Sequence, residues 1–205
     1  RTVMTFVGAP EPVVEAAVRA GRAAAELIDM RRHRGEHPRF GAMDVCPLIP
    51  VQGLGLDETA EWARRLGRRR AASSPARKNL ADVRAGEYEG LPAKLAQPDW
   101  KPDCGPSTFQ PKTGATAVGA RDFLLAYNVN LNTTSVKLAN EVAFDLRESG
   151  RVRKGADGRP LLGPDGQSLR SPGLLPGVKA IGWFIEEYGV AQVSMNLTDL
   201  SATPL

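Results

Sequence analysis

The chain holds few of the residues that most often announce a function. Among its 205 residues there are two cysteines, Cys46 and Cys104, two histidines, His33 and His37, and only 6% aromatics. Two cysteines cannot build a disulfide framework or a four-cysteine zinc site, and so little thiol reads as a cytoplasmic chain. No apolar run approaches the ~20 residues of a membrane-crossing helix, so no membrane association is expected. No basic stretch followed by an apolar one opens the chain, so no secretory signal is expected either. Scarce aromatics also count against a nucleic-acid surface. Arg64, Arg65, Arg68, Arg69, Arg70, Arg77 and Lys78 form one basic cluster, and Arg31, Arg32 and Arg34 a second, in a chain of net charge +4. Stacking rings do not alternate with them as base-binding platforms require, so the clusters read as solvated helix faces.

What remains is an ordinary globular composition, 42% hydrophobic and 24% charged. Arg1–Val7 alternates and is rich in β-branched residues, which predicts a strand. Pro10 and Pro12 then open a helix expected to reach Arg34, with Val14, Val18, Gly21, Ala25 and Ile28 as its apolar stripe and Glu15–Arg19 as an i,i+4 pair. A buried strand is expected over Met43–Val51, and a helix capped by Asp57 and running to Arg70 with Trp62 and Leu66 inward. A strand is then missing where Arg70 meets Ala71. A short helix over Ala85–Gln97 and an irregular stretch from Pro98 to Thr116 follow.

A second unit begins after Arg121. It reads as a strand at Phe123–Leu131, a helix capped by Thr133 or Thr134, a glycine- and proline-dense excursion from Gly150 to Gly177, and strands at Val178–Glu186 and Val190–Leu197. Strand–helix–strand–strand is three-quarters of a split βαβ unit. The expected fold is α/β (α+β): two stacked ferredoxin-like subdomains with mixed sheets, 1–121 and 122–205, incomplete at both ends and near residue 70.

The chemistry concentrates in GEHPRFGAMDVCP at 35–47. His33 and His37 are four apart, but Gly35 and Pro38 interrupt any helix that would put them on one face, so no metal site is expected. His33 suits a helix C-terminus. His37 lies in a loop pinned by Gly35, Pro38 and Gly41, with Glu36, Arg39 and Asp44 nearby. A carboxylate holding one ring nitrogen leaves the other as a base, and Asp44 is the candidate orienter. A structural histidine joining helix to strand fits the same spacing. Neither cysteine has a separate basic partner close in sequence, so a thiol nucleophile is not expected.

HPRFGAMDVCPLIPV at 37–51 resembles the signature of the glutamate formiminotransferases. The likeness continues through RAGEYEGL at 84–91, GPSTFQPKTGATAVGAR at 105–121, FLLAYNVNL at 123–131, VKAIGWF at 178–184 and AQVSMNL at 191–197. The resemblance implies transfer of a formimino group between N5 of tetrahydrofolate and the amino group of L-glutamate, in histidine degradation. It further implies two α/β subdomains with folate in the cleft between them, 5-formiminotetrahydrofolate as co-substrate, and a homodimer. The family's catalytic histidine falls on His37 and its folate segment on 105–114. The resemblance implies a strand, helix and strand before Arg1, a strand near Arg70–Ala71 and closing elements after Leu205.

Residue chemistry agrees with that implication. Glutamate's ammonium cannot attack until it loses a proton, and an imidazole of pKa near ~6.5 suits that transfer. In the 105–114 loop, Gly105 and Gly114 admit a close ligand. Ser107 and Thr108 add hydroxyls, Phe109 a stacking face and Lys112 a cation, among Pro106, Gln110, Pro111 and Thr113. Asn128 and Asn130 share one strand face and suggest a ligand-facing surface, with structural cross-strand pairing an equal reading. Arg39 and Arg121 match carboxylate geometry. Three alternatives stand beside formimino transfer: a glutamate formyltransferase, a non-catalytic folate binder of the same fold, and a nucleic-acid module resting on the arginines.

Overall fold

The computed structural model describes residues 2–34, 39–70 and 80–204, with backbone only at 69 and 70. The fold is mixed α/β, and the chain divides into two compact units, Arg1–Arg121 and Asp122–Leu205.

In the first unit, α1 (Pro10–Leu27) starts on Pro10, whose missing N–H costs a helix nothing in its first turn. Val14, Ala17, Val18 and Gly21 are its buried stripe, and Arg19 donates to Glu15 at 2.9 Å on the outer face. The helix ends at Leu27, short of Arg34. Asp29 accepts from the backbone N–H of Arg31 and binds its guanidinium, which opens a separate 3₁₀ turn over Met30–Arg32. Arg31 holds the Asp29 carboxyl down to about 2. Strand β1 (Val45–Leu48) pairs in parallel with β2 (Ala117–Ala120), Val45 opposite Ala117 and Leu48 opposite Ala120. Between them run α2 (Leu56–Arg70), α3 (Leu80–Arg84) and α4 (Glu87–Leu95).

α2 begins one residue before the expected cap. Glu58 accepts from the N–H of Gly55 at 3.0 Å, so a first-turn carboxylate closes this end in place of Asp57. Val14, Ala17, Val18 and Leu66 make the core of this unit, with Cys46, Leu48, Trp62 and Val118 packed against them. Residues 2–7 form no strand, and Val3 and Val7 are exposed. A strand exists only through a neighbour, and none lies beside them among the described residues. The expected gap after Arg70 falls on residues 71–79, outside the described residues.

In the second unit, β3 (Leu125–Asn130) leads into α5 (Val136–Leu146), whose cap is Ser135, one residue beyond the expected threonines. Its hydroxyl accepts from Leu138 N–H at 3.3 Å, while Thr133 accepts from Ser135 N–H at 3.1 Å. After the short strands β4 (Arg151–Val152) and β5 (Arg170–Ser171) come β6 (Val178–Ile185) and β7 (Val190–Leu197). The main sheet has the order β3-β7-β6 with β7 antiparallel to both neighbours. α5 covers one face, where Ala139 and Ala143 meet Val178, Ala180, Ala191, Val193, Met195 and Leu197. At Gly182 helix and strand touch: a Cβ there would lie 2.7 Å from Ala139 Cβ. Asn140 uses that closeness to accept from Gly182 N–H at 3.1 Å and donate to its carbonyl at 2.9 Å.

Between β4 and β5 the chain makes two successive turns of the same design. In the first, Gly158 N–H donates to Gly155 O and Asp157 accepts from Arg159 N–H; in the second, Gly166 N–H donates to Gly163 O and Asp165 accepts from Gln167 N–H. At their base Arg153, Leu161 and Leu169 form a closed cycle. Arg153 N–H donates to Leu169 O at 2.8 Å, Leu161 N–H to Arg153 O at 2.9 Å, and Leu169 N–H to Leu161 O at 2.7 Å.

Candidate functional site

His37 lies outside the described residues, but the chain just after it is described and firmly held. Gly41 bridges to Gly114, Ala115 N–H donates to Phe40 O at 3.1 Å, and Ala42 N–H donates to Thr113 O at 2.8 Å. Two glycines are required for two backbones to lie this close. A Cβ on Gly41 would stand 2.8 Å from Thr113 O and overlap Ala115 O. One on Gly114, whose φ is 64°, would stand 2.8 Å from Gly41 Cα and overlap Phe40 O. The segment that follows position 37 is thus stitched to the end of the 105–114 loop.

The loop is braced from its other side. Tyr88 donates its hydroxyl to Pro111 O at 2.5 Å and sets its ring 5.4 Å from that of Phe109 in a tilted arrangement. Gln110 donates to Thr108 O at 3.1 Å and to its hydroxyl at 3.2 Å. Lys112 donates to Glu26 O at 3.1 Å near the end of α1, and its own carbonyl accepts from Met30 N–H at 2.8 Å. Its ammonium therefore serves a helix carbonyl. Gly105 has positive φ and open space around it, and Ser107 is exposed.

Arg39 is more enclosed than a free carboxylate receptor. Its guanidinium binds the Glu89 carboxylate, lies 3.8 Å from Glu87, donates to His33 O at 3.2 Å and stands 5.6 Å from the centre of the Tyr88 ring. The Arg39 hydrogen bond holds the Glu89 carboxyl below its ordinary value. Asp44 accepts from Phe40 N–H at 2.9 Å and pairs with Arg84 at 2.6 Å, so its carboxylate anchors the start of this segment. Arg121, just past the end of β2, donates its N–H to Leu48 O at 3.1 Å. Burial raises the pKa of the Cys46 thiol, which keeps it protonated and poorly nucleophilic.

In the second unit, Asn128 and Asn130 lie on the sheet face opposite α5, both exposed. Asn128 stands across from Ser194 and Asn130 across from Gln192. Sequence reasoning missed two residues here. Trp183 Nε1 donates to Gln192 Oε1 at 2.9 Å, and Gln192 Nε2 donates to Asn130 Oδ1 at 2.7 Å. The alternation of Gln192, Ser194 and Asn196 with apolar residues in VAQVSMNL was the signal that could have found Gln192.

Comparisons with known proteins meet this picture in both units. The family model for the N-terminal subdomain of the formiminotransferase domain matches residues 1–121, and the formiminotransferase domain model matches 126–205. This is a transferase-type domain pair. The chain belongs to the formiminotransferase family. It is 49% identical over 218 aligned residues to the formimidoyltransferase-cyclodeaminase of Rattus norvegicus, an alignment covering 100% of the chain and 37% of that protein. It is 50% identical to the protein of the same name in Sus scrofa, with the same coverage. Against the glutamate formimidoyltransferase of Streptococcus pyogenes it is 37% identical, covering 100% of the chain and 66% of that relative. The chain thus spans little more than a third of the length of the fused relatives.

Proposed function

We propose that the protein acts in moving a formimino group between N5 of tetrahydrofolate and the amino group of L-glutamate. The observation that carries this reading is the family match over both units, joined to the stitch between Phe40–Ala42 and Thr113–Ala115. That stitch holds the flank of position 37 beside the loop assigned to folate.

The roles follow from the chemistry of the side chains. His37 takes the proton from the attacking amine and returns it to the departing nitrogen, one imidazole serving as base and then acid. Asp44 orients the His37 imidazole, and its carboxylate also engages Phe40 N–H and Arg84. The 105–114 loop receives the folate, with its conformation set by Tyr88 and by the Gly41–Gly114 contact. Asn128 and Asn130 present amides to a bound co-substrate. Arg39 and Arg121 are assigned to substrate carboxylates; Arg39 must exchange part of its Glu89 pairing to serve one.

Turnover of formiminoglutamate with tetrahydrofolate, followed by formation of the N5-substituted folate, tests the reading. His37→Ala should lower kcat by ~10²–10⁴ while folate affinity stays within a few-fold. Undiminished turnover in that variant would remove the imidazole from the mechanism, and turnover of N-formylglutamate in place of formiminoglutamate would favour the formyl reading.

A further inference from the structure

The row Trp183–Gln192–Asn130 crosses all three strands of the second unit's sheet, on the face opposite α5. Each strand supplies one member at the same level of the register: Trp183 faces Gln192, and Gln192 faces Asn130. Amide side chains ordinarily have no built-in direction, since oxygen and nitrogen can exchange places by rotation about one bond. This row has a direction, and the indole sets it. An indole nitrogen only donates. It therefore commits the Gln192 oxygen to itself, which turns the Gln192 nitrogen toward Asn130 and commits the Asn130 oxygen in turn. With its oxygen turned to Gln192, the group Asn130 turns away from the row is its NH₂.

Gln192 makes the direction costly to reverse. It is only 7% exposed, so water does not readily replace either partner, and a flipped amide would leave two donors facing each other across Trp183. Asn130, by contrast, is exposed at the end of the row. A buried residue with both amide ends engaged, next to an exposed one whose oxygen it holds and whose NH₂ is turned away from it, is the pattern of a support and a contact.

We infer that Gln192 is a positioning residue that fixes Asn130 as a hydrogen-bond donor to an acceptor oxygen, a carboxylate or carbonyl, of a bound co-substrate. The inference rests on the formimino-transfer reading and adds to it the polarity of this contact and the residue that sets it. Glutamate and folate both carry such oxygens, and the two Michaelis constants tell them apart.

The test is a double-mutant cycle on the active protein, with KM measured separately for formiminoglutamate and for tetrahydrofolate. Asn130→Ala should raise one of the two KM values about 10- to 100-fold with kcat within about threefold, as expected for loss of a hydrogen bond to a charged or strongly polar oxygen. Gln192→Met, close in shape but unable to direct Asn130, should raise the same KM about 3- to 10-fold. In the Asn130→Ala background, Gln192→Met should add less than about twofold, because its whole effect passes through Asn130. Trp183→Phe gives a second entry to the cycle if Gln192→Met fails to fold, with a smaller rise in the same KM that Asn130→Ala again masks. Additive effects of the two substitutions, or an unchanged KM in Asn130→Ala, would overturn the inference while leaving formimino transfer intact. A wild-type protein that does not turn over formiminoglutamate with tetrahydrofolate would overturn both.

Discussion

The two units hold their candidate residues in opposite ways. In the first, the residues belong to loops, and the closest contacts are backbone on backbone, Gly41 against Gly114, Ala42 on Thr113 and Ala115 on Phe40, with side chains such as Tyr88 and Asp44 bracing them. In the second they belong to strands already fixed by pairing, and side chain holds side chain in the Trp183–Gln192–Asn130 row. A loop has no ladder of its own, so placing it to within a fraction of an ångström takes a close backbone approach that only glycine allows. A strand comes already placed, and what it lacks is control over which way an exposed amide turns. The first design is sensitive to added bulk, the second to lost polarity.

The sharpest way to break that contrast is to add one methyl group at two glycines of the first unit, one inside the stitch and one outside it. Gly114→Ala forces a side chain into left-handed backbone and against Phe40 O, so it should cost about 3 kcal/mol or more in chemical unfolding and abolish folate binding. Gly119→Ala, in β2 with nothing within 4 Å of where its Cβ would stand, should stay within about 1 kcal/mol of wild type by the same urea titration. Equal losses at the two positions would mean that the stitch is not what makes the first unit intolerant. A smaller effect is expected at the start of α5, where Ser135→Ala removes the acceptor for Leu138 N–H. That should lower stability by about 1 kcal/mol and leave both KM values unchanged, since the cap lies outside the amide row.

The smallest expected effect is electrostatic. The Glu89 carboxyl is held below its ordinary 4.5 by Arg39, so this pair stabilises the folded chain above that value and the contribution fades as pH falls through the lower folded pKa. Glu89 is about half exposed, and solvent screening keeps the contribution small. Glu89→Gln should therefore change stability only slightly at pH 7, and the difference from wild type should shrink steadily as a urea titration is repeated at more acidic pH. Its more informative readout is KM for formiminoglutamate: a fall would indicate that freeing Arg39 makes it a better carboxylate receptor.

Much of the second unit was legible because periodicity alone decided it. Val178–Glu186 and Val190–Leu197 were expected as strands, and the helix after Thr133 and Thr134 was expected before them; β6, β7 and α5 stand there. The first unit was harder for a physical reason. β2 is four residues of alanine, valine and glycine, too short and too small to stand out in a loop-rich stretch, and its partner β1 lies far away in sequence, on the other side of three helices. The early end of α1 depended on Asp29 turning its carboxylate onto Arg31, which the continuing charge pattern concealed. At the site, two asparagines on one strand face were visible from spacing. The buried glutamine that orients one of them needed the cross-strand register, which no single strand discloses.

The cycle at Arg153, Leu161 and Leu169 has a consequence for how the chain tolerates gaps in length. In an ordinary hairpin, opposed residues swap two hydrogen bonds, whereas here a third participant has been spliced into the exchange and every donor still finds an acceptor. Excising 155–162 would return Leu169 N–H and Arg153 O to each other and leave a plain hairpin with nothing unsatisfied. Insertions and losses of one such turn at this spot are absorbed locally, without passing a shift in register to β6 and β7.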